Sequence, residues 1–332
     1  MTFSKAMPNS FSRSAALLIG ALVVSVPCAF AQAQTSKPVA IRVAGDDGTN
    51  SATPFFTALR LGLFQDAGLD VTFTTIGGGA PATAAAMRAG EIDVAVGGGG
   101  EYMTFVAKGL VPGKLIGQFT DNNYVILGRE GITDIKQLKG KVFGISSISG
   151  GDHVYSEAVL AHFGIKTDDV TWLTLGNPAT RLSALLTSKV DGIEMALTSM
   201  PENAKSRIIL GADESPVPYI ANAIFARQEF ITARKPELQK FVAMIGKAAD
   251  LIRKDPATGL RGCMDSGSSE AVCKNVIQVA TSSKNPYTWS STAKLHMEAI
   301  EAMIPIVGIS VPQALKLTPK DYVEASIAEP GK

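Results

Sequence analysis

Apolar and polar positions along residues 39–224 change between the two-residue period of a strand and the period of a helix. The run Ile41–Ala44 predicts a first strand. Thr53-Pro54 is typical of an N-cap followed by the first helical residue, and Gly68 ends the apolar stripe of the helix that follows. Two more strands are predicted after it, each running into glycines. Strands that alternate with helices in this way indicate an α/β fold.

The same order of elements recurs once in the second half of this region. Val142–Ile145 predicts a strand, Ser146–Gly151 predicts a turn, and the helix after the turn ends at Gly164. Three further matches come in the same order: Asp169–Trp172 with Asp70–Phe73, Pro178–Thr180 with Pro81–Thr83, and Val190-Asp191 with Ile92-Asp93. The repeat predicts two lobes of similar βαβαβ topology, each with a mostly parallel sheet flanked by helices. Beyond residue 225 the pattern is helical, and we expect this tail to pack on the first lobe.

The N-terminal segment has the order of a secretory signal peptide. Basic residues precede an apolar run from Ala15 to Val26, and small-x-small patterns place the cleavage site near Ala31 or Ala33. The apolar run is shorter than the ~20 residues that span a bilayer as a helix. We therefore expect residues 1–33 to be removed and the remainder of the chain to be exported.

Composition narrows the class of protein further. Of the 332 residues, 46% are hydrophobic and 18% are charged, which excludes a disordered chain and predicts a globular protein of about two domains. The net charge of +1 falls to about −1 without the signal peptide, so nucleic acid is not an expected partner. The sequence contains no P-loop, dinucleotide fingerprint, nucleophile elbow or zinc-binding helix motif, and we predict no cofactor and no metal.

Cys263 and Cys273 are the cysteines of the exported part. Two cysteines joined by a short loop in an oxidising compartment predict a disulfide, and two unpaired thiols in a helical region are the alternative. A metal site is not predicted, because His153, His162 and His296 are not spaced near the cysteines.

Glycine-rich turns follow the predicted strands and precede the predicted helices. In open α/β sheets a ligand binds beyond the carboxyl ends of the strands, where glycine permits close approach and helix N-termini offer unpaired N–H groups. Together the turns predict a lined cleft, although each alone is also explained as a tight turn without a ligand. The turns lie at residues 48–53, 77–80, 97–100, 147–151 and 176–178.

Acidic residues accompany these turns, whereas Arg and Lys are missing from the turns themselves. The acids are Asp46, Asp47, Glu101, Asp152 and Glu194. A strongly anionic ligand is usually met by Arg, so the acids favour an amine or a hydroxyl donor, while the helix N-termini favour an anion. The acids are equally explained as complements to the helix dipoles, and both the charge of the ligand and the contact of the acids with it stay open.

Short segments of this chain resemble the nitrate/sulfonate/taurine-type substrate-binding proteins, the NMT1/THI5-like family. Gly62–Val71 resembles the G-x-F-x-x-x-G-L-x-V segment of that family, and Ala89–Val94 resembles its G-E-[IV]-D strand. Ile135–Val142 is similar to its D-L-K-G-K entry to the second lobe, and Lys189–Gly192 to its G-x-V-D-A segment. The resemblance covers most of residues 41–212. The related thiamine-pyrimidine synthesis enzymes carry a cysteine-rich motif that this sequence lacks.

The resemblance implies a type II periplasmic-binding-protein fold, in which two α/β lobes close on a ligand by bending at a hinge. Lobe 1 would comprise residues 34–124 and 222–332, and lobe 2 residues 125–221. The strands at Tyr124 and Asn222 would cross between the lobes, with both side chains facing the cleft.

The resemblance also implies a periplasmic monomer that captures a small polar organic molecule, a sulfonate, carboxylate, nitrate-like anion or amine. Its partners would be the membrane permease and ATPase subunits of an ABC importer. Besides Glu101, Tyr124, Glu194 and Asn222, ligand contacts are assigned by position to Gly48, Thr49, Asn50, Gly78, Gly79, Gly99, Gly100, Ser147, Ser149, Gly150 and Asn177.

Two other functions stay open at this point. The protein is alternatively a periplasmic sensor partner, which binds a ligand but docks on a receptor. An exported enzyme would use His153 with a neighbouring acid as its general base.

Overall fold

The computed structural model describes residues 37–45 and 49–330. The predicted signal peptide at residues 1–33, Asp46, Asp47 and Gly48 lie outside these residues. No helix in the described part of the chain is both long enough and apolar enough to cross a membrane.

Two five-stranded sheets form the framework of residues 37–45 and 49–330. The strands are β1 Val39–Gly45, β2 Leu69–Thr75, β3 Val94–Gly97, β4 Gly113–Asp121, β5 Tyr124–Gly128, β6 Val142–Ile145, β7 Thr171–Thr174, β8 Gly192–Ala196, β9 Ile208–Leu210 and β10 Ile220–Arg227. The strand order is β2-β1-β3-β10-β4 in the first sheet and β7-β6-β8-β5-β9 in the second. The two orders correspond strand for strand, with β1, β2 and β3 matching β6, β7 and β8. The sequence repeat therefore reflects a repeated sheet topology.

One strand in each sheet runs against its neighbours. β10 pairs antiparallel with β3 and β4, and β5 pairs antiparallel with β8 and β9, whereas β1 and β6 pair in parallel with both of their neighbours. The sheets are therefore mixed. The chain passes from the first sheet to the second between β4 and β5, and it returns between β9 and β10.

A buried aspartate fixes the reversed strand of the first sheet. Asp93, just before β3, accepts hydrogen bonds from the backbone N–H and side chain of Arg42 on β1 and from the side chain of Arg227, which ends β10. Burial alone would raise the pKa of Asp93, but the hydrogen bonds from the two arginines outweigh it and lower the pKa.

The second sheet repeats this arrangement. Asp191, just before β8, accepts a hydrogen bond from the N–H of Val142 at the start of β6 and pairs with Arg129, which follows β5, at 2.5 Å. The similarity of Ile92-Asp93 to Val190-Asp191 thus marks the same three-strand junction in both sheets.

Helices cover both faces of the sheets. The helices are α1 Thr53–Arg60, α2 Leu63–Asp66, α3 Gly79–Arg88, α4 Gly99–Ala107, α5 Gly151–His162, α6 Pro178–Leu186, α7 Gln228–Lys254, α8 Pro256–Met264, α9 Glu270–Ser282, α10 Met297–Ser310 and α11 Pro319–Tyr322. Successive residues of β10 enter different cores: Phe225 packs with α4, and Ile224 packs in the core that contains α1 and α7. Because β10 lies between β3 and β4 and both of its faces are buried, its sequence is mostly apolar.

The helical tail contacts helices of both halves of the chain. α7 and α8 contact α1, while α10 contacts α4 and α5. Cys263 on α8 and Cys273 on α9 form a disulfide in this region. Residues 291–296 form a turn and loop that lead into α10.

We expect Asp93→Ala to lower the free energy of unfolding by ~3 kcal/mol, because it removes the buried carboxylate partner of Arg227, leaving it only the exposed carboxylate of Glu229, and breaks the contact with Arg42. Urea denaturation measures the loss. The exposed Asp70→Ala on β2 serves as the control, with a change within ~0.5 kcal/mol. Equal and small losses in the two variants would show that Asp93 does not anchor the junction.

Candidate functional site

A cavity of about 490 Å³ lies between the two sheets at the carboxyl ends of their strands. Its wall comes from the segments that follow β1, β2, β3, β6 and β7, from the end of β8, and from the starts of β5 and β10. The lining residues are Thr49, Asn50, Ser51, Ile76, Gly77, Gly78, Gly79, Gly97, Gly98, Glu101, Tyr124, Ser146, Gly151, Asp152, Thr174, Gly176, Asn177, Pro178, Arg181, Glu194, Ala196, Ser199 and Asn222.

Helix N-termini supply backbone donors to this wall. α3, α4 and α5 follow the N-cap residues Gly78, Gly98 and Gly150, none of which has a side chain to satisfy the first N–H groups. α6 differs, because Asn177 Oδ1 accepts from the N–H of Thr180. Unpaired N–H groups and the positive ends of helix dipoles favour anionic or oxygen-rich groups nearby.

Two of these helix starts touch each other in the cavity wall. A Cβ added at Gly98 would lie 2.8 Å from Cα of Gly151, and a Cβ added at Gly151 would lie 2.9 Å from Cα of Gly98. Real Cβ atoms do not approach so closely, so α4 and α5 can begin this near to each other only with glycine at both positions.

The two sides of the cavity are also joined by hydrogen bonds. Asn50 Nδ2 donates to Ser199 Oγ at 2.9 Å, and Asn275 on α9 donates to the carbonyl of Leu197 at 2.9 Å. At the strand crossing, Tyr124 Oη donates to the carbonyl of Ala221 at 2.9 Å. The parts of the protein on either side of the cavity are therefore in direct contact around it.

Arg181 is the cation of the cavity wall, and its side chain is buried between two acids. Its Nη1 lies 3.0 Å from Asp152 Oδ2, and its Nη2 lies 3.1 Å from Glu194 Oε2. The guanidinium also donates to the carbonyls of Gly176 and Glu194. The absence of Arg and Lys from the turns therefore does not extend to the cavity, because α6 brings Arg181 to the wall.

Arg181 lies outside the glycine-rich turns, which is why the pattern of turn residues does not indicate it. Pro178 is the first residue of α6, so Arg181 lies one turn inside the helix. Side chains on a helix lean toward its N-terminus, and a long side chain one turn in reaches back to the turn. The Asn177-Pro178 start followed by Arg at the fourth helical position is the signal that would have found it.

Glu194 has an unusual environment. It is 1% exposed, and burial raises the pKa of its carboxyl to about 8, with Arg181 lowering and Asp152 raising that value to smaller extents. Glu194 Oε1 has no hydrogen-bond partner among the described residues, whereas its Oε2 faces Arg181.

The structure places the sequence-predicted residues in two groups. The wall of the cavity includes Thr49, Asn50, Gly78, Gly79, Glu101, Tyr124, Asn177, Glu194 and Asn222. Gly99, Gly100, Ser147, Ser149 and Gly150 lie beside the wall rather than in it. Gly99 and Gly100 pack under the start of β10, where an added Cβ would meet Ile220 and Tyr219.

His153 lies outside the cavity wall. Its Nδ1 accepts from the N–H of Ser149 at 3.2 Å, its ring packs on Trp172, and its Nε2 is 3.7 Å from Glu157 Oε1, too far for a hydrogen bond. Asp152 contacts Ser146 and Arg181 rather than the imidazole. The geometry therefore supplies no acid–base pair of His153 and Asp152 facing the cavity.

Comparison with known proteins assigns the family. The model of the family described as NMT1/THI5 like matches residues 49–258, and the chain belongs to this family. A comparison with curated proteins found no match.

Solved structures share the fold at low sequence identity. The alkanesulfonate-binding protein SsuA of Xanthomonas axonopodis pv. citri, bound to MOPS, is 18% identical with a TM-score of 0.66, covering 88% of this chain and 98% of that one. The CA3427 gene product of Candida albicans, described as having the generic periplasmic binding protein fold, is 16% identical with a TM-score of 0.63, over 86% and 92% of the two chains. The periplasmic nitrate-binding protein NrtA of Synechocystis PCC 6803 is 13% identical with a TM-score of 0.58, over 72% and 69%. The predicted two-lobed periplasmic-binding-protein fold is confirmed.

Burial lowers the pKa of His153 to about 4, so the imidazole is neutral in the folded protein at pH values where it would be charged in the unfolded chain. Its contribution to stability is complete above about pH 6.5 and is lost as the pH falls toward 4. We expect wild type to lose ~3 kcal/mol more than His153→Gln over this interval, measured by urea denaturation at each pH. Parallel pH profiles for the two proteins would contradict this assignment.

Proposed function

We propose that this protein is the periplasmic solute-binding component of an ABC importer. It captures a small polar organic molecule between its two lobes and delivers it to the membrane permease and ATPase subunits. The observation that carries the proposal is the cavity between the carboxyl ends of two sheets, lined from both sides by glycine turns and helix N-termini. Membership of the NMT1/THI5-like family and the sulfonate- and nitrate-binding proteins among the similar structures support it.

In this proposal the lobes comprise residues 34–124 with 222–332, and residues 125–221. The ligand contacts come from the predicted residues that line the cavity, together with Arg181 and Asp152. The protein acts as an exported monomer without catalytic activity, and the signal peptide ends near Ala31 or Ala33.

Ligand binding is tested first by thermal unfolding of the refolded mature protein. One panel contains methanesulfonate, MOPS, benzoate and nitrate, and the other contains benzylamine, amino acids and pyrimidines. A ligand of the folded state at a hundredfold excess over its dissociation constant stabilises by ~2.7 kcal/mol, which is readily visible as a rise in Tm.

The place of binding is tested by filling the cavity. Gly77 lies in the wall, and a Cβ added there meets no atom within 4 Å, so we expect Gly77→Trp to fold normally and to lose the Tm rise and at least ~100-fold in affinity. Ala85→Trp, on the exposed face of α3, is the matched control and retains binding. Unchanged affinity in Gly77→Trp would show that the ligand binds elsewhere.

Hinge closure is tested by cross-linking the two lobes. Asn50 and Ser199 meet across the cavity, so in the double variant Asn50→Cys/Ser199→Cys we expect a disulfide to form faster with ligand present than without it. Once it has formed, release of the ligand slows by at least ~10-fold, because the closed state cannot open. Each single variant is the control. Cross-linking that ligand does not accelerate would contradict ligand-driven closure.

A further inference from the structure

Two acidic side chains in the cavity wall pair with the same arginine, Arg181. Asp152, Arg181 and Glu194 are each less than a tenth exposed, and all three line the cavity. Arg181 lies 3.0 Å from Asp152 and 3.1 Å from Glu194. A single guanidinium cannot neutralise two buried carboxylates, so the lowest-energy state of the group keeps one proton on an acid.

The hydrogen-bond donors decide which acid keeps that proton. Asp152 accepts from the N–H of Ser146 at 2.6 Å and from Ser146 Oγ at 2.5 Å, in addition to its pairing with Arg181. It also lies in the first turn of α5, where the helix dipole favours a negative charge. Glu194 has Arg181 as the donor to Oε2 and has no partner at Oε1. The carboxylate is therefore Asp152, and the protonated acid is Glu194.

The buried tyrosines near Glu194 do not change this balance. Besides Arg181 on α6 and Asp152 on α5, Glu101 on α4 and Tyr124 on β5 line the cavity, and Tyr155 on α5 and Tyr219 before β10 are buried close to Glu194. Burial raises the pKa of each of the three tyrosines, which keeps them neutral. The raised pKa of Glu194, about 8, agrees with the charge count.

We propose that Glu194 is a specificity-determining residue, which keeps its proton at neutral pH and donates a hydrogen bond from its unpartnered oxygen to an oxyanion of the ligand. A neutral carboxyl offers no charge to an ammonium group, whereas an O–H donor forms a strong charge-assisted hydrogen bond with a carboxylate or a sulfonate. The N–H groups at the starts of α3, α4 and α5 act in the same direction. This inference rests on the proposed solute-binding function and names the class of solute.

The first experiment follows affinity against pH. Methanesulfonate and benzoate keep their charge between pH 6 and 9, so any pH dependence belongs to the protein. With the stronger binder of the two, we expect a constant dissociation constant up to about pH 7 and a weakening of about tenfold per pH unit once Glu194 ionises. Methanesulfonate and benzoate also separate a sulfonate site from a carboxylate site.

The matched variants assign the pH dependence to one residue. Glu194→Gln retains the shape and replaces the O–H donor by an amide N–H, so we expect affinity within ~10-fold of wild type at pH 7 and a flat profile to pH 9. Glu130→Gln, an exposed acid of the same lobe, retains the wild-type profile. Binding that tightens as the pH rises would overturn the role of Glu194, as would the same pH dependence in Glu194→Gln.

A measurement without ligand decides the protonation separately. In carboxyl-¹³C NMR of the refolded protein we expect one glutamate resonance that titrates near pH 8 and that Glu194→Gln removes. Titration of that resonance below pH 6 would overturn the proposal. Stabilisation by benzylamine but by no anion would also overturn it, while leaving solute binding intact. The absence of stabilisation by every compound of both panels would instead contradict the proposed function.

Discussion

The structure depends on one junction that occurs twice: an aspartate that joins the first, third and reversed strands of a sheet. In the first sheet Asp93 binds the N–H of Arg42 on β1 and the side chain of Arg227 at the end of β10. In the second sheet Asp191 binds Val142 and Arg129 in the same way. Each reversed strand directly follows a strand of the other sheet along the chain: β5 follows β4, and β10 follows β9. Each junction therefore fixes the register of its own sheet and also anchors a segment that links the two sheets.

The junctions also determine where chemistry is possible. With the reversed strands held by these junctions, the carboxyl ends of β1, β2 and β3 and those of β6, β7 and β8 open toward one shared cavity. Helices that follow parallel strands begin there, and their first N–H groups lack intrahelical partners. The contact between Gly98 and Gly151 is the steric limit of this arrangement, because α4 and α5 begin within van der Waals distance of each other.

Sequence patterns were informative where one structural requirement recurs at the same place in both halves of the chain. The matching of Ile92-Asp93 with Val190-Asp191 was visible because each junction requires an acid directly before a buried strand. β4 and β9 were not predicted, because their partners β10 and β5 lie far away along the chain and the pairing is decided by tertiary structure. Arg181 was missed for a geometric reason, since it enters the cavity from a helix, one turn beyond the glycine-containing turn.

The sequence contains conflicting indications of the charge of the ligand, and the geometry of the cavity explains the conflict. Acids near the predicted cleft favoured an amine, and helix N-termini favoured an anion. Arg181 neutralises Asp152, and desolvation disfavours the charged form of Glu194, so the side chains of this trio carry little net charge despite their polarity. The field of the aligned backbone N–H groups is then opposed by fewer charges than the count of acids suggests. Hydrogen-bond donors then determine which ligand such a cavity prefers, and in our proposal Glu194, the acid with the fewest donors of its own, is one of them.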